Sequence, residues 1–213
     1  MIVLDTTRLS LFLITALVLL VTPGPAVLYI IARSVDQGRV AGVVSALGVG
    51  LGTTFHVAAA ALGISALLAT SASAFSVLKY LGAGYLIYLG LRKLMEREPE
   101  AVTKARVPDN LTRIFWQGVV VNVLNPKTAL FFLAFLPQFV DVSRGQITLQ
   151  MIVLGMLFVA MGIFSDGVWA LFAGTAGGWL KNHLGFLRAQ RFFAGGVFIT
   201  LGVVVAMSGQ SRK

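Results

Sequence analysis

Long apolar stretches alternate with short polar ones along nearly the whole chain. Segments with few or no charged residues cover positions 9–32, 41–69, 75–91, 114–140, 147–179 and 192–207. Each approaches or exceeds the roughly 20 residues that a helix needs to cross a hydrocarbon layer. None shows the short alternating segments of a transmembrane barrel. The pattern therefore predicts an all-α membrane protein with six transmembrane helices.

The composition agrees with a bilayer as the solvent. Of 213 residues, 57% are hydrophobic and only 12% are charged, and the mean hydropathy is +0.88. A soluble domain carries about twice that charged fraction. Because the chain has no cysteine, disulfides, thiolate metal sites and thiol redox relays are excluded. No cofactor is expected.

The Lys and Arg residues predict an orientation. Six spans place both termini on one side. That side carries five of these residues: Arg8, Lys79, Arg144, Arg212 and Lys213. The other side carries eleven: Arg33, Arg39, Arg92, Lys93, Arg97, Lys104, Arg106, Arg113, Lys181, Arg188 and Arg191. The richer side is expected to be cytoplasmic, so both termini face outward. This bias also explains the net charge of +9 better than nucleic-acid binding does.

The two halves of the chain resemble each other. YLGAGYLIYLGL at positions 80–91 aligns with FFAGGVFITLGV at 192–203, which pairs Gly90 with Gly202 and Ile87 with Ile199. We therefore divide a single transmembrane domain into repeat 1 (residues 9–94), a cytoplasmic linker (95–113) and repeat 2 (114–207). Since each repeat holds three spans, the second must enter the membrane upside down relative to the first. Inverted repeats with interrupted helices are typical of transporters.

The first span of each repeat carries a helix-breaking sequence. Thr22-Pro23-Gly24-Pro25 in the first and Asn125-Pro126-Lys127 in the fourth segment remove backbone donors. Unpaired backbone groups at membrane depth need protein or water around them, so the breaks should line a cavity. The restarting helices point their positive ends there. We expect a substrate carboxylate near these ends, with Asn122 and Asn125 as partners and Lys127 as counter-charge. The alternative is that the prolines only kink two helices for packing.

Three ionisable residues lie inside the predicted spans: His56, Lys127 and Asp166. A charge at mid-bilayer costs about 2.5–3.5 kcal/mol on insertion scales. Lys127 and Asp166 therefore indicate either a buried salt bridge that fixes packing or a functional cavity. A neutral aspartic acid is the cheaper state in an empty apolar cavity, and a substrate ammonium needs an acceptor there. We expect Asp166 to carry a coupling proton that His56 relays, although a lone histidine can equally bond a neighbouring carbonyl.

Small residues between Gly38 and Gly52 form a close-packing stripe. Packing within the monomer is favoured over a homodimer through these faces. The G-x-G-x-G at 48–52 follows no strand, so it is not a nucleotide fingerprint. No Walker A motif occurs, and the two histidines are far apart, so neither ATP nor a bound metal is expected.

These residues together resemble the lysine exporter / threonine–homoserine exporter family. The likeness rests on T-P-G-P, the glycine stripe followed by His56, YLGAGYLIYLGLRKL, NVLNPKTALFFLAFLPQF and the pair Asp166 and Trp169, and it runs over about residues 9–207. The resemblance implies a bacterial inner-membrane exporter of amino acids or related metabolites, driven by the proton gradient, and not an enzyme. The expected partners are a small-molecule substrate and membrane lipid. The alternatives are a carrier for another solute or cation and, less favoured, a membrane enzyme or a structural membrane protein.

Overall fold

The structure, a computed structural model, describes residues 6–64, 72–95, 110–182 and 184–207, and within these ranges the chain is helical without any strand. Its helices are α1 (Thr6–Val21), α2 (Pro25–Gln37), α3 (Arg39–Ala59), α4 (Ala72–Met95), α5 (Leu111–Val123), α6 (Pro126–Leu130), α7 (Ile147–Asn182) and α8 (Leu184–Met207). A π-helical turn, Ala60–Ile64, extends α3. Positions 96–109 of the predicted linker lie outside the described residues. The predicted all-α class is confirmed.

Two of these helices can cross a membrane by themselves. Arg39–Gly63 and Ile147–Ala176 are long and apolar enough to do so. Two further candidates are bent pairs: α1 and α2 meet at 49°, and α5 meets the segment Pro126–Phe139 at 46°. Length and composition of the described residues thus support two spans, or four if each bent pair is one span. Six spans and the inverted repeat remain predictions.

Both helix breaks that the sequence predicts are present. Proline opens the helix after each break, Pro25 in α2 and Pro126 in α6. This is where a missing N–H costs least, because the first N–H groups of a helix have no intrahelical acceptor. Because proline has no backbone N–H, it cannot donate the hydrogen bond that would continue the preceding helix, so α1 and α5 end at the breaks.

Helix α3 lies at the centre of the structure, and its glycines set how closely its neighbours approach. A methyl group at Gly52 would lie 2.7 Å from the Val119 carbonyl oxygen of α5, and one at Gly50 would lie 2.6 Å from Ile163 of α7. These glycines therefore pack within the monomer. Gly38 has a different role, since its φ of 85° lets the chain turn between α2 and α3. A homodimer stays a prediction.

The contacts of α3 give the relative directions of its neighbours. On α7, Ile163 faces Gly50, whereas the earlier residue Gly155 faces the later residue Val57. These two helices are therefore antiparallel. On α5, Phe115 faces Gly48 and Val119 faces Gly52, so α3 and α5 run in the same direction.

Helices α4 and α8 form a reciprocal contact. A methyl group at Gly90 would lie 2.6 Å from Ile199, and one at Gly202 would lie 2.7 Å from Ile87. These are the positions that the repeat alignment pairs. The two helices are antiparallel, and each presents the same residues to the other, as a local two-fold axis requires.

One residue used for the orientation is placed differently from expectation. Lys79, which we count among the residues outside the membrane, is buried within α4, with 4% of its surface exposed. Its ammonium lies 4.9 Å from the centre of the Tyr80 ring. Position 79 lies near the start of the predicted span 75–91, and a lysine can be buried within a helix when its charge finds partners. Without Lys79 the balance of Lys and Arg is four against eleven.

Candidate functional site

The two helix breaks face each other across a small internal cavity of about 30 Å³. Five elements line it: the end of α1, the start of α2, the middle of α3, the break between α5 and α6, and α7. The polar residues among its lining are Thr53, Asn122, Asn125, Lys127, Thr128 and Asp166. A cavity of this size holds about one water molecule. The cavity is therefore too small for an amino acid, and a bound solute requires these elements to separate.

Lys127 connects the two breaks. Its ammonium donates a hydrogen bond of 2.5 Å to the carbonyl oxygen of Thr22, at the end of α1. Both residues are buried. The carbonyl end of a helix carries partial negative charge, which favours a cation at this position. Lys127, at the second break, thus supplies a hydrogen-bond donor for the Thr22 carbonyl oxygen, which the first break leaves without a helical partner.

Asn122 is the hydrogen-bond centre of the cavity wall. Its amide nitrogen donates to the Val49 carbonyl oxygen at 3.0 Å and to the Thr53 hydroxyl at 2.8 Å. Its amide oxygen accepts from Asn125 at 3.2 Å and from the Thr128 hydroxyl at 3.0 Å. Every hydrogen-bonding group of this side chain is used, so Asn122 ties α5 to α3 and to α6.

The two restarted helices differ at their first turns. The Asn125 side chain caps α6 by accepting from the Lys127 amide at 3.0 Å. Helix α2 begins after Gly24, which has no side chain to serve as a cap. Ala26 and Val27, in its first turn, line the cavity. Only α2 therefore presents an uncapped positive end to the cavity.

Asp166 approaches the cavity from α7. It is buried, with 6% of its surface exposed, and it interacts electrostatically with Lys127. Among the contacts of the described residues, the two groups form no ion pair within 4.0 Å. The cavity thus holds a carboxylate and an ammonium that share one enclosure without a direct salt bridge.

His56 lies behind the cavity wall and does not line it. Its Nε2 lies 2.9 Å from the Asn122 carbonyl oxygen, and its ring stacks on Phe132 with centres 6.1 Å apart. A carbonyl oxygen only accepts, so Nε2 carries the hydrogen. This carbonyl would bond the amide of residue 126 in an unbroken helix, but Pro126 has none. The expected role of His56 in relaying a proton stays a prediction. The observed hydrogen bond gives the Asn122 carbonyl oxygen a partner at the helix break, and so stabilises the break.

Polar contacts join α2 to α5 at one end of the bundle. The Tyr29 hydroxyl donates to the Ile114 carbonyl oxygen at 2.8 Å. Arg33 donates to the Gln117 side chain at 2.6 Å and lies over the Tyr29 ring, 5.5 Å from its centre. We call Tyr29, Arg33 and Gln117 the α2–α5 latch.

A second group of contacts closes the opposite end. Arg8 donates to the Val140 carbonyl oxygen at 3.2 Å, and its guanidinium lies 3.5 Å from the Asp141 carboxylate. Ser143 and Arg144 also contact this carboxylate. The Ser143 hydrogen bond and the two arginines hold the pKa of Asp141 below its ordinary value of 3.8. We call Arg8 and Asp141 the α1–loop clamp.

The structure brings most of the predicted site residues together. Gly24, Asn122, Asn125, Lys127 and Asp166 line one cavity. Pro23, Pro25 and Pro126 shape the two breaks around it. Thr22 contributes its carbonyl oxygen through Lys127.

Two residues of the site were not predicted from the sequence, Thr53 and Thr128. Thr53 lies one helical turn before His56, and Thr128 follows Asn125 by three residues. That spacing could have placed both on the polar helix faces already identified.

Comparisons with known proteins agree with this arrangement. A family model described as LysE type translocator matches residues 17–209. A homoserine/homoserine lactone efflux protein of Salmonella typhimurium is 26% identical over 92% of this chain and 94% of its own length. A leucine efflux protein of Salmonella choleraesuis is 33% identical over 62% and 63%. A membrane protein of Bacillus subtilis that is described as uncharacterised is 30% identical over 91% and 95%. No solved structure matches the chain.

Proposed function

Because the chain belongs to the LysE type translocator family, and is therefore a membrane transporter rather than an enzyme, we propose that it exports amino acids or closely related metabolites across the bacterial inner membrane by proton antiport. The relatives named for efflux of homoserine and leucine support this substrate class. One observation carries the proposal: one cavity offers separate places for an anion and for a cation.

The anionic end of the substrate binds at the start of α2. Gly24 leaves the N–H groups of this first turn without a side-chain cap, and Lys127 adds a positive charge beside them. A helix N-terminus with a neighbouring cation favours a carboxylate. The start of α6 is less suited to this task, because Asn125 already caps it.

The cationic end binds at Asp166. An α-ammonium in a low-dielectric cavity needs an acceptor, and this carboxylate is buried in the cavity wall. A proton and an ammonium compete for the same carboxylate, so each displaces the other. This competition couples the outward movement of substrate to the inward movement of protons.

Alternating access follows from the closed ends. The α2–α5 latch lies near the end of the first bent pair, and the α1–loop clamp lies at its start. The cavity between them is too small for an amino acid, so the described conformation is a substrate-free one. Opening the latch exposes the cavity to one side of the membrane, and opening the clamp exposes it to the other.

We propose that the two halves of the chain are inverted three-helix repeats, which alternate between two conformations and so open the cavity to either side in turn. The antiparallel pairs α3 with α7 and α4 with α8 support such an arrangement, because equivalent helices of inverted repeats must run in opposite directions. We place the α2–α5 latch on the cytoplasmic side and both termini on the periplasmic side, following the excess of Lys and Arg.

Transport into vesicles tests the proposal. Purified protein is reconstituted, a pH gradient is imposed, and the uptake of labelled leucine and homoserine is counted. We expect accumulation against a concentration gradient that a protonophore abolishes. Two leucine analogues provide the sharper comparison, since 4-methylpentanoate lacks the ammonium and 3-methylbutylamine lacks the carboxylate.

The outcomes separate the alternatives. A site for both charges predicts that neither analogue competes with leucine at concentrations where leucine saturates transport. Competition by the amine alone would identify a cation carrier. If the pH gradient drives the uptake of no amino acid in a full panel, the proposed function is wrong.

A further inference from the structure

The ammonium group of Lys127 occupies a position that suits any primary ammonium. It is bonded to the Thr22 carbonyl oxygen, at the negative end of α1, and it lines the same cavity as the buried carboxylate of Asp166. A carbonyl oxygen released by a helix break, together with a nearby carboxylate, forms a site for a small cation. In the described conformation the cation comes from the protein itself.

The first break is shaped around this lysine. A methyl group on Gly24 would lie 2.9 Å from Lys127 Cδ and 3.5 Å from its Nζ. The backbone of Gly24, with φ −124° and ψ −171°, is one that any residue adopts. Gly24 is therefore needed for space and not for conformation. Because Gly24 has no side chain, the lysine side chain can pass beside its backbone and reach the Thr22 carbonyl oxygen.

We infer that the Thr22 carbonyl oxygen and the Asp166 carboxylate form the ammonium subsite, and that Lys127 is a tethered cation that fills it when no substrate is bound. The inference rests on the proposed function and adds to it the identity of the group that the substrate displaces. The substrate ammonium takes the place of the lysine ammonium. Lys127, whose stem lies against Gly24 at the start of α2, then turns to the substrate carboxylate.

This exchange keeps the charge of the cavity constant. The empty cavity holds one ammonium opposite one carboxylate. A zwitterion adds one further charge of each sign, so both states are neutral when Asp166 is ionised. A neutral cavity avoids the cost of an unpaired charge in the membrane, so the tethered ammonium stabilises the substrate-free state until a substrate or a proton binds.

Chemical replacement of the lysine side chain tests the inference. Lys127→Ala removes the atoms of n-propylammonium, so this amine is the probe. Its binding is measured through the concentration dependence of Tm of the full-length protein in detergent. We expect the variant to bind n-propylammonium about tenfold or more tightly than the wild-type protein, because a charge-assisted hydrogen bond is regained. 1-Propanol, which has the same length and no charge, should not replace it.

Two further variants make the result specific. In Lys127→Ala/Asp166→Asn the preference for the amine over the alcohol should disappear. In Gly24→Ala/Lys127→Ala the added methyl group fills part of the vacated space, so this variant serves if the single one does not fold, with methylammonium as its probe. Equal responses to amine and alcohol, or an unchanged preference without Asp166, would overturn the inference. Because no transport is measured, the result is independent of the proposed export.

Discussion

The contact between Gly24 and Lys127 allows a quantitative test of the site. Gly24→Ala introduces a methyl group 2.9 Å from Lys127 Cδ, whereas carbon atoms prefer about 3.5–4.0 Å. The lysine stem must move by more than half an ångström, and its ammonium then leaves the Thr22 carbonyl oxygen. Overpacking that displaces a flexible side chain costs about 1–3 kcal/mol in all. We expect a loss of about 2 kcal/mol.

The same substitution should be nearly neutral where the lysine is absent. In Lys127→Ala, the stem that obstructs the methyl group is gone, so adding Gly24→Ala should change stability by less than about 0.5 kcal/mol. The free energy of unfolding of the four proteins in this cycle is measured in detergent by denaturant titration. The coupling energy should be about 1–2 kcal/mol.

A control glycine separates this effect from a general loss of flexibility. A methyl group at Gly196 meets no atom within 4 Å, so Gly196→Ala should leave α8 unchanged or stabilise it by up to about 1 kcal/mol. If Gly24→Ala costs the same with and without the lysine, the glycine serves another purpose. The route of Lys127 to Thr22 would then be wrongly assigned.

Three further predictions concern coupling, orientation and the closed end. Asp166→Asn should end export driven by a pH gradient while the protein still inserts, whereas Asp36→Asn, the matched change at an exposed residue of α2 outside the cavity, should retain it; normal gradient-driven export by the first variant would make Asp166 structural. A reporter fused after Lys213 should be active outside and one near Lys104 in the cytoplasm, and the reverse pattern would contradict the count of Lys and Arg. Because the folded-state pKa of Asp141 is depressed, its contribution to stability is present above pH 3.8 and is lost as the pH falls through the lower folded value. Arg8→Gln should make this loss of stability at acid pH smaller, as measured by equilibrium unfolding at a series of pH values. An unchanged pH dependence of stability in the acid range would show that the clamp is not formed in solution.

The helix breaks could be predicted from the sequence because their cause is local. Proline lacks an N–H group wherever it stands, so Pro25 and Pro126 indicate an interruption without knowledge of the fold. Polar and charged residues beside an interruption at membrane depth indicate a cavity by the same reasoning. The placement of Lys127 on a cavity followed from these rules, whereas for Asp166 the sequence left a packing salt bridge and a functional cavity open.

The partners of the site residues could not be predicted, because they depend on how distant helices pack. Lys127 was expected to meet a substrate or Asp166, yet it bonds a backbone carbonyl more than 100 residues away. Asn125 was expected to bind substrate, and its side chain is used to cap α6. Lys79 was counted with the outer side although it lies within the predicted span 75–91, and it is buried within α4. Only the contact of Lys127 is tertiary and leaves no trace in local spacing; the Asn125 cap joins residues two positions apart and follows the local preference for Asn before a helix start.

The reciprocal contact of α4 and α8 also bears on how the molecule moves. In a transporter whose halves exchange conformations, a contact that lies on the two-fold axis is converted into itself, so it need not break during the cycle. Under the proposed inverted repeat, Gly90 and Gly202 mark a stationary pivot, and the motion is confined to the helices around the cavity. Because the chain has no cysteine, a disulfide introduced across this pivot would be the only one present, and it would hold the pivot without stopping the cycle.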